Sequence, residues 1–235
     1  MIPAPFEYAR AGSVEEAISL LGSDPDAKIL AGGHSLLPAM RLRIARPSML
    51  VDIGRIAGLS YVREDGDRIA IGALTRHHDV ANAEALQQLC PIVAHAGGQI
   101  GDPQVRHMGT IGGSVAHGDP AGDLPAVLLA LDADFVAQGP NGTRTVAATD
   151  FFKSLFETAL APDEVLTEIR VPKASAGWSF MKFQRRAQDW AVVGVSAVRA
   201  NGGVHVGLTN MGLTPLRAAG VEEAVGAKIF RIGGP

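Results

Sequence analysis

The chain has 235 residues, of which 47% are hydrophobic and 19% are charged, and this composition excludes a disordered chain. Its formal net charge of −3, with no Lys/Arg run interleaved with aromatic residues, argues against nucleic-acid binding. A single cysteine, Cys90, excludes an internal disulfide, a four-cysteine zinc site and a cysteine-ligated iron–sulfur cluster within the chain.

The first predicted element is a helix over residues 13–22. Ser13 and Glu16 form a capping box at its start, and Gly22 is a natural C-terminal stop. The next elements are predicted in the order strand, helical turn and strand, at residues 28–31, 35–43 and 49–53. The first pair of adjacent glycines therefore lies at a strand end.

A second region begins with two β-prone runs around a polar turn that contains Gly66, which predicts a hairpin. Apolar spacing then predicts helices over 75–89 and 91–100, the latter broken by a glycine pair. Residues 101–125 carry few bulky apolar side chains, which predicts a long functional loop. The remaining elements are a helix at 124–130 and strands at 133–137, 143–146 and 165–171.

The last region is predicted to be mainly antiparallel. Three strands and a short helix are expected at 180–183, 190–199, 204–210 and 215–225. With a linker at 172–177, these elements predict three domains, at residues 1–56, 57–176 and 177–235. The lack of a signal peptide or of a run of about 18 apolar residues predicts a cytoplasmic protein with no membrane span.

Two glycine pairs with small hydroxyl residues beside them predict a diphosphate site. Glycine lacks the Cβ that keeps a backbone away from a ligand, and it permits the positive φ angles that turn successive N–H groups toward one anion. Either pair alone is also compatible with a plain strand-to-helix turn. The pairs lie within residues 31–36 and 110–114, and neither a G-x-G-x-x-G nor a P-loop pattern occurs, which argues against a Rossmann or P-loop site.

Charged residues near these turns suggest further ligand contacts. Asp119 and Asp123 precede an apolar run, where a helix cap is the commoner role and a bond from a ribose hydroxyl is the alternative. Lys182 is a cation of the kind that stabilises a reduced flavin. His77 and His78 are interpreted as a solvated helix start. The spacing of the histidines does not match a metal-binding motif, and no Ser-His-Asp or Cys-His arrangement predicts a catalytic nucleophile.

In series, these motifs resemble those of the FAD-binding medium subunits of molybdenum hydroxylases, of the carbon monoxide dehydrogenase and xanthine dehydrogenase type. The matching pieces are residues 31–38, 104–114, 119–125 and 182–189, and their order fits over residues 1–225. The resemblance implies an α+β fold of two α/β FAD-binding subdomains, vanillyl-alcohol-oxidase-like and PCMH-type, with a small antiparallel C-terminal domain.

The resemblance also implies a set of FAD-binding residues. Asp123 would hold the ribose or adenosine part, Leu166 would pack near the flavin, and Lys182 would approach the isoalloxazine. Asp119 is a further candidate ligand to the cofactor. The diphosphate would be bound by Ala31, Gly32, Gly33, His34, Ser35, Leu36, Thr110, Ile111, Gly112, Gly113 and Ser114.

The implied function is that of an oxidoreductase subunit with non-covalent FAD. Molybdopterin would belong to a large partner subunit and two [2Fe–2S] clusters to a small one, in a dimer of heterotrimers that passes electrons through FAD to an external acceptor. The C-terminal domain is shorter than in relatives, which predicts an exposed apolar patch. A scaffold module that keeps the fold without the redox role is the alternative function.

Overall fold

The computed structural model describes residues 2–175, 177–200 and 203–232. These residues form three main sheets and one small hairpin, each built from a single stretch of the chain. The strands of the three main sheets fall within the three predicted domains, although the division into domains stays a prediction. The observed architecture is α+β, as the sequence predicted.

The first sheet is parallel, with strand order β1-β3-β2. Its segment contains β1 (Glu7–Arg10), α1 (Val14–Ser23), β2 (Lys28–Leu30), α2 (Leu36–Arg41) and β3 (Met49–Asp52). The predicted capping box is confirmed, since Ser13 Oγ accepts from the Glu16 N–H at 3.2 Å and Glu16 Oε2 accepts from the Gly12 N–H at 2.7 Å. The helix continues one residue beyond Gly22. Strand β1 was not predicted, because its mostly exposed residues lack the alternation of a half-buried strand.

The second sheet is antiparallel, with strand order β4-β5-β10-β6-β7. Its segment contains β4 (Val62–Asp65), β5 (Arg68–Gly72), α3 (His77–Asn82), α4 (Glu84–Leu89), α5 (Pro91–Gly98), α6 (Pro103–Met108), α7 (Ile111–His117), α8 (Asp123–Ala130), β6 (Asp134–Gly139), β7 (Gly142–Ala147), α9 (Ala148–Phe151), β8 (Phe152–Ser154), β9 (Glu157–Thr158) and β10 (Val165–Pro172). Strands β8 and β9 pair with each other, and the predicted hairpin at Gly66 is confirmed as β4–β5.

Two predictions for this segment were wrong. The single helix over 75–89 is divided into α3 and α4, because Ala83 between them is extended, with φ −68° and ψ 116°. The long loop over 101–125 instead contains two short helices. Each begins at a side-chain cap: Asp102 Oδ1 accepts from the Val105 N–H at 2.8 Å, and Thr110 Oγ1 accepts from the Gly113 N–H at 3.1 Å.

The third sheet is antiparallel, with strand order β11-β12-β13-β14. Its segment contains β11 (Trp178–Phe183), β12 (Val193–Ala200), β13 (Gly203–Thr209), β14 (Leu216–Arg217) and α10 (Ala219–Ile232). Helix α8 is buried on every side and contacts both this sheet and the helices of the second segment. The contact is close, because a Cβ at Gly207 would lie 2.1 Å from the backbone oxygen of Ala126.

The outer face of this third sheet carries exposed apolar side chains. An apolar row crosses its strands in register, since Met181 pairs with Val195, Val195 with Leu208 and Leu208 with Leu216. Met181 is 71% exposed and Phe183 is 66% exposed. The predicted exposed apolar patch is therefore present. Among the described residues, no helix is both long enough and apolar enough to cross a bilayer.

Candidate functional site

A cleft of about 730 Å³ lies where the three segments of the chain meet. Its walls include the turn after β2, helices α6 and α7, the turn between β8 and β9, and strand β11 with the turn that follows it. This volume falls within the roughly 300–1,000 Å³ range of small-molecule sites. The predicted site residues that line it are Ala31, Gly32, Gly33, His34, Ser35, Leu36, Thr110, Gly113, Ser114, Asp119, Asp123 and Lys182.

The first glycine turn offers free backbone donors to the cleft. Within the part of the chain that the structure describes, no protein group accepts from the N–H groups of residues 32–35. Gly33 has φ +73°, which changes the direction of the chain between successive amides. The Ser35 hydroxyl makes no capping bond and is also available. Such a run of free donors is suited to an anion.

The packing of the first glycine turn also requires glycine at position 32. A Cβ on this residue would lie 2.3 Å from the backbone oxygen of Met108 and 2.7 Å from the Gly109 Cα. No real side chain tolerates such distances, so only glycine lets this turn contact the end of α6. The contact joins the first segment to the second at the floor of the cleft.

The second glycine pair is not a second set of free amides. Its residues form the first turn of α7 without positive φ, and the N–H groups of Ile111, Gly112 and Gly113 donate to Thr75 O, Ala73 O and Thr110 Oγ1. The prediction that both pairs turn free N–H groups toward one anion is therefore wrong for this pair. Thr110, Gly113 and Ser114 still border the cleft, whereas Ile111 and Gly112 pack behind it.

Gly112 is needed for that packing. A Cβ there would lie 2.5 Å from the Ala73 Cβ and 2.6 Å from the Ala73 backbone oxygen. Helix α7 therefore approaches the end of β5 as closely as two backbones allow. This close approach explains the glycine through the fold and not through a ligand.

A buried ion pair borders the cleft. Lys182 Nζ lies 2.7 Å from Asp123 Oδ2, and the two side chains are only 3% and 6% exposed. Lys182 also donates to the backbone oxygen of Gln99 at 3.2 Å, while Asp123 Oδ1 is buried without a partner among the described residues. Burial raises the pKa of Asp123, and the hydrogen bond and charge of Lys182 oppose this rise.

The predicted ligand roles of these two residues stay predictions. Asp123 was assigned to the ribose or adenosine part of FAD and Lys182 to the isoalloxazine, and the structure brings the two side chains into direct contact. Helix capping, the alternative for Asp123, does not apply, since Asp123 is the first residue of α8 and its carboxylate binds Lys182.

The structure places Asp119 at the cleft and Leu166 in the main core. Asp119 borders the cleft, and its Oδ1 accepts from the Ala121 N–H at 2.8 Å, which fixes the turn before α8. Leu166 does not line the cleft; it is 5% exposed, within the main core. The prediction that Leu166 packs near a flavin therefore has no support from the cleft lining, and it stays a prediction.

Burial lowers the pKa of two histidines that line the cleft, His77 and His117. His77 is buried, so the interpretation of a solvated helix start is wrong for it. Burial, with smaller contributions from Arg106 and His34, lowers the pKa of His77 to about 4. Burial also lowers the pKa of His117, and Asp119 opposes this. Neither shift was visible in the sequence, since burial is the main cause of both and is decided by tertiary packing.

Sequence reasoning left several parts of the cleft wall unassigned, and two of them lie far from the glycine pairs along the chain. One is the stretch from Phe156 to Glu164 around β9, and the other is the turn formed by Gln188, Asp189 and Trp190. In the structure, the first of these stretches is marked by Phe156, whose backbone has a positive φ of 57°. No local sequence pattern marks a phenylalanine for that conformation, so the sequence did not reveal it.

Comparison with known proteins places these features in a family. The model of the FAD-binding domain in molybdopterin dehydrogenase matches residues 4–174. The carbon monoxide dehydrogenase medium chain of Hydrogenophaga pseudoflava is 45% identical over 238 residues, covering 98% of this chain and 83% of that one. The nicotine 6-hydroxylase medium subunit of Paenarthrobacter nicotinovorans is 42% identical, covering 84% and 69%.

Solved structures agree with these relatives. A carbon monoxide dehydrogenase from Hydrogenophaga pseudoflava that lacks the Mo-pyranopterin moiety of the molybdenum cofactor matches with a TM-score of 0.92 and 47% identity. The match covers 96% of this chain and 81% of that chain. This chain therefore belongs to the family of FAD-binding domains of molybdopterin dehydrogenases, as its motifs predicted.

Proposed function

We propose that this chain binds FAD non-covalently in the cleft and acts as the FAD-binding medium subunit of a molybdenum hydroxylase, an oxidoreductase. The observation that carries the proposal is the first glycine turn, whose free N–H groups at residues 32–35 border a cleft of cofactor size. A diphosphate supplies the anionic oxygens that such a set of donors binds. The Ser35 hydroxyl adds a further donor.

The other cleft residues complete the proposed site. Asp123 Oδ1 is a buried acceptor without a partner in the described part of the chain, and a sugar or ribityl hydroxyl is a suitable donor for it. Lys182 keeps a buried positive charge beside that carboxylate. Thr110 and Ser114 also line the cleft. When bound, FAD supplies a flavin ring that accepts and releases electrons, and the chain binds and orients it.

Other redox groups are proposed to lie in partner subunits. The chain has one cysteine, Cys90, and it is buried in the main core, so it cannot ligate an iron–sulfur cluster. We propose that [2Fe–2S] clusters belong to a small subunit and molybdopterin to a large one, in a cytoplasmic dimer of heterotrimers. An external acceptor takes the electrons, and nucleic acid has no part in this function.

Titration of the purified chain with FAD tests the proposal. We expect flavin absorption bands that persist through gel filtration. We also expect a higher melting temperature, because a ligand at 100 times its Kd stabilises the native state by about 2.7 kcal/mol. Equal melting with and without FAD, and no retained flavin, would refute the proposal and favour the scaffold alternative.

Two matched glycine variants locate the site. Gly33→Ala forces a side chain into φ +73°, in the turn that carries the free amides. Gly58→Ala likewise places a side chain in a left-handed conformation, at φ +84°. The new Cβ would meet no other group within 4 Å, and Gly58 does not line the cleft. Gly33→Ala is expected to lose more stability than Gly58→Ala, because its Cβ would lie 2.9 Å from the Leu37 Cδ1, so FAD affinity is compared on folded protein. Only Gly33→Ala is expected to lose FAD binding. Equal FAD affinity in the two would contradict the assignment of the first glycine turn.

A further inference from the structure

The turn between β8 and β9 holds a phenylalanine in an unfavourable backbone conformation. Phe156 has φ +57°, a left-handed region that glycine, asparagine and aspartate adopt far more readily. Of the non-glycine residues that the structure describes with positive φ, it is the only aromatic one. Its side chain is also 54% exposed. Neither the turn nor the core explains a phenylalanine here.

The Phe156 ring has an aromatic neighbour across the cleft wall. Its centroid lies 4.9 Å from that of the His117 ring, with 34° between the ring planes. Both residues line the cleft. The two rings come from different elements, the hairpin and the last turn of α7, so tertiary packing holds them together.

The approach of these elements is fixed by a glycine. Gly118 is the left-handed C-cap of α7, with φ +65°. A Cβ at Gly118 would lie 3.0 Å from the Thr158 Cγ2, so the hairpin packs directly on the end of the helix. The position of the ring pair relative to the cleft is therefore set by backbone contacts as well as by side chains.

The environment of the ring pair favours uncharged rings. Burial lowers the pKa of His117, with Asp119 opposing, which favours the neutral imidazole. A neutral ring loses less hydration than a cation when another ring covers it. Exposed aromatic side chains that border a ligand site are the usual stacking partners of nucleobases and related rings.

We propose that Phe156 and His117 form a stacking platform for a heteroaromatic ring of the bound dinucleotide. The inference rests on the proposed function, since it requires FAD in this cleft. FAD carries two such rings, adenine and isoalloxazine, and both have the flat π surface that the platform recognises. The strained conformation of Phe156 is retained because it brings the ring to the cleft wall.

The test compares variants of one hairpin in the full-length chain. Phe156→Asn removes the ring and suits the left-handed backbone, so the ligand-free protein is expected to melt at or above the wild-type temperature. Phe156→Tyr keeps the ring. Leu155→Asn is the matched control, because Leu155 is the adjacent exposed apolar residue of the turn and does not line the cleft. His117→Leu is a second variant that removes the other ring.

Isothermal titration with FAD, ADP and FMN gives the readout. We expect Phe156→Asn and His117→Leu to weaken FAD binding roughly 5- to 150-fold, the loss typical of one stacked base. Phe156→Tyr and Leu155→Asn are expected to bind FAD as the wild type does. A parallel loss of ADP affinity assigns the platform to adenine, and a parallel loss of FMN affinity assigns it to isoalloxazine.

The outcomes separate this inference from the proposed function. A wild-type chain that does not bind FAD overturns both. A wild-type chain that binds FAD, together with ring-removing variants that bind it equally well, overturns the platform alone. If Phe156→Asn does not fold, His117→Leu decides the question in the same way.

Discussion

Replacing Lys182 by methionine is expected to destabilise the protein in a pH-dependent way. The variant keeps the Asp123 carboxylate at 6% exposure but removes the cation 2.7 Å away. Loss of one partner of a buried ion pair costs about 3–5 kcal/mol, since the remaining charge is buried without compensation. For a chain of this size, 1 kcal/mol corresponds to about 2–4 °C, so the melting temperature at pH 8 is expected to fall by about 6–20 °C.

The pH dependence follows from the Asp123 carboxyl group. Burial already raises its folded-state pKa, and loss of the opposing Lys182 raises it further. A carboxyl whose pKa is higher in the folded than in the unfolded state binds more protons when folded, so stability falls as pH rises through the folded pKa. The deficit of Lys182→Met is therefore expected to shrink at acidic pH, where Asp123 is neutral.

The assay is thermal and urea unfolding of the ligand-free protein at several pH values. Lys173→Met is the matched control, because Lys173 and Glu64 form a pair of nearly the same length, 2.8 Å, with side chains 32% and 58% exposed. Exposed pairs contribute about 0–1 kcal/mol. Lys182→Met curves that match those of Lys173→Met at every pH would refute the reasoning.

Three further predictions test the glycine contact, the buried histidine and the cysteine. Gly32→Ala places a methyl group 2.3 Å from Met108 O and is expected to abolish tight FAD binding in titrations. The control is Gly22→Ala, because Gly22 lies in helix α1 and a Cβ added there would meet no other group within 4 Å. This variant is expected to keep FAD binding and to stabilise the fold by up to about 1 kcal/mol. Because burial lowers the pKa of His77 to about 4, His77 is expected to contribute a loss of about 3 kcal/mol of stability between pH 7 and pH 4, as the unfolded chain takes up the proton first. His77→Phe is expected to reduce that loss, and unfolding curves with the same pH dependence would contradict it. Burial raises the pKa of the Cys90 thiol to about 12, so iodoacetamide at pH 8 is expected to modify only unfolded protein, as mass spectrometry will show.

Local features were predictable from the sequence, because the interacting groups are only a few residues apart. The capping box joins Ser13 and Glu16, three residues apart, and the turn at Gly66 joins two adjacent strands. The first glycine turn was likewise identified from residues 31–36, which border the cleft as predicted. In each case, the conformation depends on backbone preferences and short-range hydrogen bonds.

Short helices and changes of direction were predicted less well. Residues 101–125 lack apolar periodicity, yet caps at Asp102 and Thr110 start two helices there. The apolar spacing over 75–89 suggested one helix, although Ala83 is extended and divides it. Periodicity reports which residues are buried, but it does not report where packing interrupts a helix.

By itself, the sequence determined the family and the α+β fold, and most of the site residues predicted from it line the cleft. Only the tertiary structure decided how those residues divide their roles. It showed that Lys182 and Asp123, 59 residues apart, form one buried pair, and that the second glycine pair serves the packing of α7. It also revealed the ring pair of His117 and Phe156. These contacts join distant parts of the chain, so their geometry and desolvation exist only once the chain is folded.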